Sequence, residues 1–265
     1  MTARRPLAVV TGASGGIGYE LARLLAAADH DLVLVARSAG RLDAVATELG
    51  RSGGSVRPVA ADLARPEGVS RLLDALPERG ARVDVLVNNA GFGAAGPFAA
   101  LELEAALEMI RLNVEALTHL TRAVLPGMLS RRRGRILNVA STAAFQPGPY
   151  MAVYYATKAY VLSFSEAIAE ELRQSGVSVT ALCPGPTLTG FQARAGIDAE
   201  RLVRGRVAQD AASVARAGFE GMMAGRRVVV PGALNRIHAA GVRLLPRSFV
   251  TTLAALLNRG ARRSP

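Results

Sequence analysis

The chain has 265 residues, half of them apolar, with one cysteine and a formal net charge of +11. That length suits one α/β domain with a sizeable core, and no apolar run reaches the roughly 18 residues needed to span a bilayer. A lone Cys183 excludes an intrachain disulfide and fits a reducing compartment; with Leu7–Val10 too short for a signal-peptide core, a cytoplasmic location is expected.

The positive charge does not read as a nucleic-acid footprint. Arginines are spread along the chain apart from Arg131-Arg132-Arg133, aromatics make up 5% and tryptophan is absent, so no base-stacking platform is evident and no nucleic-acid partner is expected. Leu7–Val10 is a β-rich run that leads into Thr11-Gly12-Ala13-Ser14-Gly15-Gly16-Ile17-Gly18, and a helical pattern runs on from Ile17 to about Ala28. Strand, glycine turn and helix N-terminus make a phosphate-binding unit, because glycines let backbone N–H groups approach an anion. Asp31–Ala36 reads as a second buried strand ending in Arg37. An acidic residue at that point serves the ribose hydroxyl of NAD, whereas an arginine pairs with a 2′-phosphate, so Arg37 points to NADP(H) over NAD(H).

Arg41–Leu49 reads as a helix and Val56–Ala60 as a third strand. Asp62-Leu63 then lies where an adenine would sit in such a fold, with an N-cap for the following helix (Pro66–Leu76) as the competing reading of Asp62. Strand four, Val83–Val87, ends in Asn88-Asn89-Ala90-Gly91, two amides that can tie neighbouring strands and small residues that let a ligand lie close. Leu101–Leu129 is helical but interrupted near Asn113, and Arg135–Ala140 is strand five, ending at Ser141. Val177–Cys183 is strand six, closed by Pro184-Gly185-Pro186-Thr187, and Arg227–Pro231 is a last strand. The alternation implies a doubly wound parallel sheet with helices on both faces, a Rossmann-type single domain.

The helix predicted over Val153–Leu172 carries the chain's only lysine, Lys158, among 32 lysines and arginines. Tyr154 stands four residues before it on the same helical face, and an adjacent ammonium favours the phenolate, lowering a pKa that starts near about 10. Tyr154 is thereby a candidate general acid/base. Tyr155, at i+3, also reaches Lys158, so spacing alone does not choose between the two tyrosines.

Taken together these motifs resemble the short-chain dehydrogenase/reductase family in its short single-domain form: Thr11-Gly12-x3-Gly16-x-Gly18, Asn88-Asn89-Ala90-Gly91, Asn113, Ser141, Tyr154-x3-Lys158 and Pro184-Gly185-x-Thr187, in order over about residues 7–190. The resemblance selects Tyr154, which lies thirteen residues after Ser141. It implies a catalytic set of Asn113, Ser141, Tyr154 and Lys158, with Asn113 holding a water that relays protons to Lys158. It implies a cofactor site in which Gly12, Ser14, Gly16, Ile17 and Gly18 hold the pyrophosphate, Arg37 the 2′-phosphate, and Asp62 and Leu63 the adenine. Asn89, Ala90 and Gly91 would face the cofactor, Tyr154 and Lys158 its ribose, and Pro184, Gly185 and Thr187 its carboxamide. The implied activity is NADPH-dependent reduction of a ketone, aldehyde or 3-oxoacyl group, or its reverse, and relatives of this kind form homo-dimers or homo-tetramers. A catalytically idle NADP-binding sensor or scaffold is the rival. The substrate is expected to be a small apolar carbonyl compound or alcohol, in a cleft lined by Phe92, Ala143, Ala144, Phe145, Tyr150, Leu188 and Phe191.

Residues 1–232 are read as the catalytic domain, with 188–225 as a substrate lid, and 233–265 as a basic amphipathic tail. The tail has three candidate places: on an anionic membrane surface, on a sister subunit, or over the active site. His30, His119 and His238 are isolated, and no metal is expected.

Overall fold

Strands of a parallel sheet are buried on both faces and so read as continuous apolar runs rather than alternating ones. The seven strands here are largely of that kind: β1 (Leu7–Thr11), β2 (Asp31–Ala36), β3 (Val56–Ala60), β4 (Val85–Asn88), β5 (Gly134–Val139), β6 (Val177–Leu182) and β7 (Val228–Val229). In the computed structural model, which describes residues 4–51, 53–196 and 208–260, they form one parallel sheet in the order β3-β2-β1-β4-β5-β6-β7. β1 lies between β2 and β4, so strand order reverses there and a crevice opens at the carboxyl ends of β1 and β4.

Helices α1 (Gly16–Ala27) and α2 (Ala39–Gly50) cover one face. Leu21, Leu25, Leu42 and Leu49 pack there against Val10, Leu34 and Leu137. The other face carries α3 (Pro66–Ala75), α4 (Leu103–Ile110), α5 (Leu117–Ser130) and α6 (Ala152–Glu171), with Leu72, Met109, Leu120 and Val124 packed on Val9, Leu86 and Ile136. Between α4 and α5 the interruption predicted near Asn113 is a π-helical turn, Arg111–Ala116. Such a wide turn pushes one extra residue out of register, and here it buries Asn113.

After β6 come a short helix α7 (Phe191–Ala195) and α8 (Ala211–Met223). The lid reading of 188–225 needs correcting for its second half. Val214, Ala215 and Met222 of α8 are buried in the same layer as α1, so α8 is a core helix. Residues 197–207 lie outside the described residues. The tail forms α9 (Ala233–Gly241) and α10 (Arg247–Gly260), and Asn235, Asn258 and Arg259 tie it to the body.

A polar ladder crosses the layer beneath the crevice. Asn88 Nδ2 donates to Asn138 Oδ1 at 2.9 Å and to Thr121 Oγ1 at 3.1 Å, and Asn138 Nδ2 donates to Ser165 Oγ at 2.9 Å. The ladder fixes the ends of β4 and β5 relative to α5 and α6. Asn138→Ala strips partners from Asn88 and Ser165, each of them buried, and is expected to cost about 2 kcal/mol or more in urea unfolding. A loss below about 0.5 kcal/mol would make the ladder a bystander.

Candidate active site

The glycine turn is shaped by what cannot fit. Gly12 (φ +68°) and Gly16 (φ +56°) hold left-handed conformations that other residues rarely adopt. A Cβ on Gly18 would lie 2.3 Å from Gly12 O and 2.4 Å from Asn89 Nδ2. Asn89 Nδ2 itself donates to Thr11 O at 2.9 Å and Gly12 O at 3.2 Å, while Thr11 Oγ1 accepts from the backbone N–H groups of Asn89 and Ala90, both at 3.0 Å. The ends of β1 and β4 are therefore laced together by Thr11 and Asn89. No side chain caps the N-terminus of α1, and Gly15, before it, has open space around its Cα. Ser14 and Ile17 are half-buried in this turn. The turn fits a phosphate group that approaches the backbone closely.

Ser141, Tyr154, Lys158 and Asn113 come together at the ends of β4 and β5. The side chains of Tyr154 and Ser141 face each other closely enough for Ser141 to lower the Tyr154 pKa. Ser141 Oγ also accepts from Ala143 N at 3.1 Å and faces Pro184 O at 3.4 Å, so the loop after β6 holds it from the far side. Lys158 is buried, donates from Nζ to Val139 O at 2.7 Å, and lies 5.9 Å from the centre of the Tyr154 ring. Asn113 Oδ1 accepts from Phe92 N at 3.1 Å, and Nδ2 donates to Phe92 O and to Thr157 Oγ1, both at 3.0 Å. Gly91 fills the gap between the two: its absent Cβ would stand 2.9 Å from Asn113 Oδ1 and 3.4 Å from Lys158 Nζ.

Tyr155 goes elsewhere. Its ring lies over Gly148 and its hydroxyl donates to Asn258 Oδ1 of α10 at 3.2 Å. Geometry thus separates the two tyrosines that helical spacing left equivalent.

The electrostatics differ from the sequence-based expectation. Burial pushes Tyr154 up to about 12, against a smaller lowering from the Ser141 hydrogen bond; it is not brought toward neutrality. Burial also pulls Lys158 down to about 8. Desolvation is the leading cause of both shifts, with Lys158 buried and Tyr154 half-buried. Cys183, at the end of β6, is fully buried and its thiol is pushed up to about 12, so it is a core residue and no nucleophile.

Several predicted residues have other partners. Asp62 Oδ1 accepts from Ala64 N at 3.1 Å, closing a turn before α3, whose N-cap is Arg65; neither Asp62 nor an Asp62 side-chain bond caps that helix. Leu63 is buried in the core. Arg37 is half-exposed at the end of β2, in a loose ion pair with Glu108 at 3.7 Å. Thr187 is buried, its hydroxyl donating to Gly185 O at 2.9 Å. Phe92 packs in the core instead of lining the cleft, whereas Phe191 lies 5.2 Å from the Tyr154 ring, centre to centre. Sequence reasoning missed Gln192 and Asn235. Gln192 Nε2 donates to Thr187 O at 2.6 Å, and Asn235 packs against Gly185 and donates to Pro231 O at 2.8 Å. Gln192 acts on backbone and Asn235 on backbone and the Gln209 side chain, a pattern that leaves no motif to find. Among the described residues no cluster of His, Cys, Asp or Glu could hold a metal.

A sequence profile for short chain dehydrogenase matches residues 6–200. The chain belongs to the short-chain dehydrogenase/reductase family. It is 41% identical over 181 residues (68% of this chain, 69% of the relative) to a monensin polyketide synthase putative ketoacyl reductase of Streptomyces virginiae. Among solved structures it resembles a short-chain dehydrogenase from Sphingobium yanoikuyae in complex with NADPH, at a TM-score of 0.81 and 37% identity, covering 90% of this chain and 94% of that one. A Burkholderia phymatum family member in complex with NAD matches at 0.78 and 28% identity, covering 92% and 94%. As a member of this family the chain is a nicotinamide-dependent oxidoreductase acting on carbonyl groups of small molecules.

Two buried groups of this short-chain dehydrogenase, Lys158 and Cys183, change the pH dependence of stability above pH 8, in opposite directions. The folded pKa of Lys158 (about 8) lies below its ordinary 10.5, so between those values the unfolded chain binds the extra proton. Stability from this group therefore increases as pH rises from 8 toward 10 and is lost as pH falls through 8. Tyr154, shifted upward, loses its contribution only above pH 10. Cys183, raised from 9, opposes this above pH 9, so the Lys158 contribution is read as a difference: urea unfolding of wild type should gain roughly 1–2 kcal/mol relative to Lys158→Met between pH 8 and 10. A slope unchanged in the variant would show Lys158 to be solvated.

Proposed function

We propose that this protein reduces apolar ketones, aldehydes or 3-oxoacyl groups with NADPH, or runs the reverse oxidation. The observation that carries the reading is the buried Lys158 Nζ 5.9 Å from the centre of the Tyr154 ring, with Ser141 facing the same tyrosine. The nicotinamide cofactor supplies hydride in reduction and accepts it in oxidation. Tyr154 gives its hydroxyl proton to the substrate oxygen, and Ser141 donates a hydrogen bond to the same oxygen where negative charge develops. A phenol with a pKa of about 12 is fully protonated at working pH, which suits an acid. It needs its conjugate base stabilised as the proton leaves, and Lys158 is the cation in place to do so. Lys158 has three donors and gives one to Val139 O, leaving the others for a ribose.

The glycine turn (Gly12, Ser14, Gly16, Ile17, Gly18) holds the pyrophosphate; Asp62 and Leu63 border the adenine, the latter through its backbone. Asn89, Ala90 and Gly91 floor the cofactor site, and Pro184, Gly185 and Thr187 hold the carboxamide. Because the Asn113 amide is engaged with Phe92 and Thr157, a proton relay at this position runs through the Asn113 backbone carbonyl. Arg37 receives the 2′-phosphate; its pairing with Glu108 is loose and half-exposed, so a dianion displaces it readily. The related ketoacyl reductase supports the 3-oxoacyl class, and Leu188 and Phe191 give the cleft its apolar rim. A second copy of the chain covers α4, the turn before it and α6, where Leu103 and Leu107, Phe98, and Tyr160 are exposed.

Tyr154→Phe is expected to lower kcat roughly a thousandfold while the Kd for NADPH, read by nucleotide fluorescence, stays within about threefold. Retained turnover would remove Tyr154 from the chemistry. Arg37→Ala is expected to raise the KM for NADPH by about 10–100-fold and leave that for NADH nearly unchanged. Equal effects on the two coenzymes would overturn the 2′-phosphate assignment.

A further inference from the structure

We infer that α9 and α10 form a docking surface for an anionic lipid bilayer. On α10, Phe249, Leu253, Leu256 and Leu257 stand at helical spacing and are all exposed, beside the buried stripe of Val250 and Ala254. On α9, Leu234 is 78% exposed and Ile237 69%, and Leu244, in the turn between the helices, is 87% exposed. Apolar side chains this exposed on two helices and the turn between them call for a cover.

Charge selects the cover. Residues 233–260 carry four arginines and no aspartate or glutamate, and of these Arg236 and Arg247 are exposed and not among those that meet the loop before α6. Two such faces from sister subunits would bring like charges together, which disfavours a second copy here. Lipid phosphates instead complement arginines flanking an apolar stripe, as in helices that lie in the plane of a membrane interface. Among the described residues no helix is long and apolar enough to cross a membrane, so the contact is superficial.

The same helices grip the substrate loop from their inner side. Asn258 Nδ2 donates to Pro149 O at 2.9 Å, Arg259 Nε donates to the Tyr150 hydroxyl at 3.0 Å, and the Arg243 guanidinium lies 5.6 Å from the centre of the Phe145 ring. A bilayer under α9 and α10 therefore sits at the mouth of the cleft, where an apolar carbonyl compound dissolved in lipid enters directly. This last step rests on the reductase reading; the docking does not, and it is read without turnover.

The test is flotation of the full chain with phosphatidylcholine vesicles containing about one third phosphatidylglycerol, beside pure phosphatidylcholine vesicles. The protein is expected to float with the anionic vesicles alone, and less well as salt rises. Leu234→Glu/Leu256→Glu and, separately, Arg236→Gln/Arg247→Gln should each lower the bound fraction about tenfold, with circular dichroism and reduction of a water-soluble ketone unchanged. Should the glutamate pair unfold the chain, the glutamine pair alone decides. The proposal is overturned if wild type stays at the bottom of the gradient with anionic vesicles, or if the folded variants float as well as wild type. It is likewise overturned if sedimentation shows the glutamate pair splitting an oligomer, which would assign the face to a second copy.

Discussion

Burying an ammonium costs more than burying a neutral side chain of the same size, and that cost falls on one residue here. Lys158 is surrounded by the end of β5, the π turn and the Asn88–Gly91 strand end, and its pKa falls to about 8 as a result. The rest of the site can be read as the means of tolerating that charge. Val139 O accepts one of its protons, Gly91 leaves room where any side chain would collide, and the amide of Asn113 borders the same space. A guanidinium is larger and planar and would not fit where Gly91 is already required to be bare. This gives a physical reason for one lysine surviving in a chain in which every other residue of the 32 lysines and arginines is arginine.

The crevice depends on a second constraint, the lacing of β1 to β4. Thr11 and Asn89 satisfy strand-end backbone groups that a cofactor must pass over without competing for them. Gly18 is a packing residue in this arrangement, since Gly12 O and Asn89 Nδ2 occupy the space of its Cβ, whereas Gly15 faces open space. Glycines in one motif thus serve different ends. Beneath them the Asn88–Asn138–Ser165 ladder holds β4 and β5 to α6, so the serine at the end of β5 and the tyrosine at the start of α6 are positioned by the same buried polar groups.

The parallel sheet was legible because buried strands leave runs such as Leu32–Val35, and the break at Asn113 because an amide is out of place in an apolar helical pattern. Less legible were contacts made by backbone. Gln192 holds the Pro184–Thr187 loop through the Thr187 carbonyl and Asn235 packs on its Gly185, and nothing in residue type or spacing marks them. The N-cap alternative for Asp62 could not be told apart in sequence, because a carboxylate before a helix serves an Asx turn or an N-cap with the same local pattern. Helix α8 was misread as lid because glycines that suggest mobility are there to let helix approach sheet: Gly218 meets Leu182 and Gly221 meets Val229. The direction of the Tyr154 shift was missed for a different reason. Spacing reports that two groups are neighbours but carries no information on how dry their surroundings are.

Adjacent tyrosines on α6 show how one element serves two surfaces. Successive residues point about 100° apart on a helix, so Tyr154 and Tyr155 cannot both face the sheet edge. Tyr154 meets Ser141, and Tyr155 crosses Gly148 to reach Asn258. The substrate loop between β5 and α6 is therefore held at its base by the catalytic side and at its tip by α10. Any displacement of α10 is passed to Pro149 and Tyr150, the latter in a left-handed conformation (φ +65°) that a tyrosine adopts only under constraint. The shape of the cleft mouth is thus set jointly by the body that does the chemistry and the helices outside it.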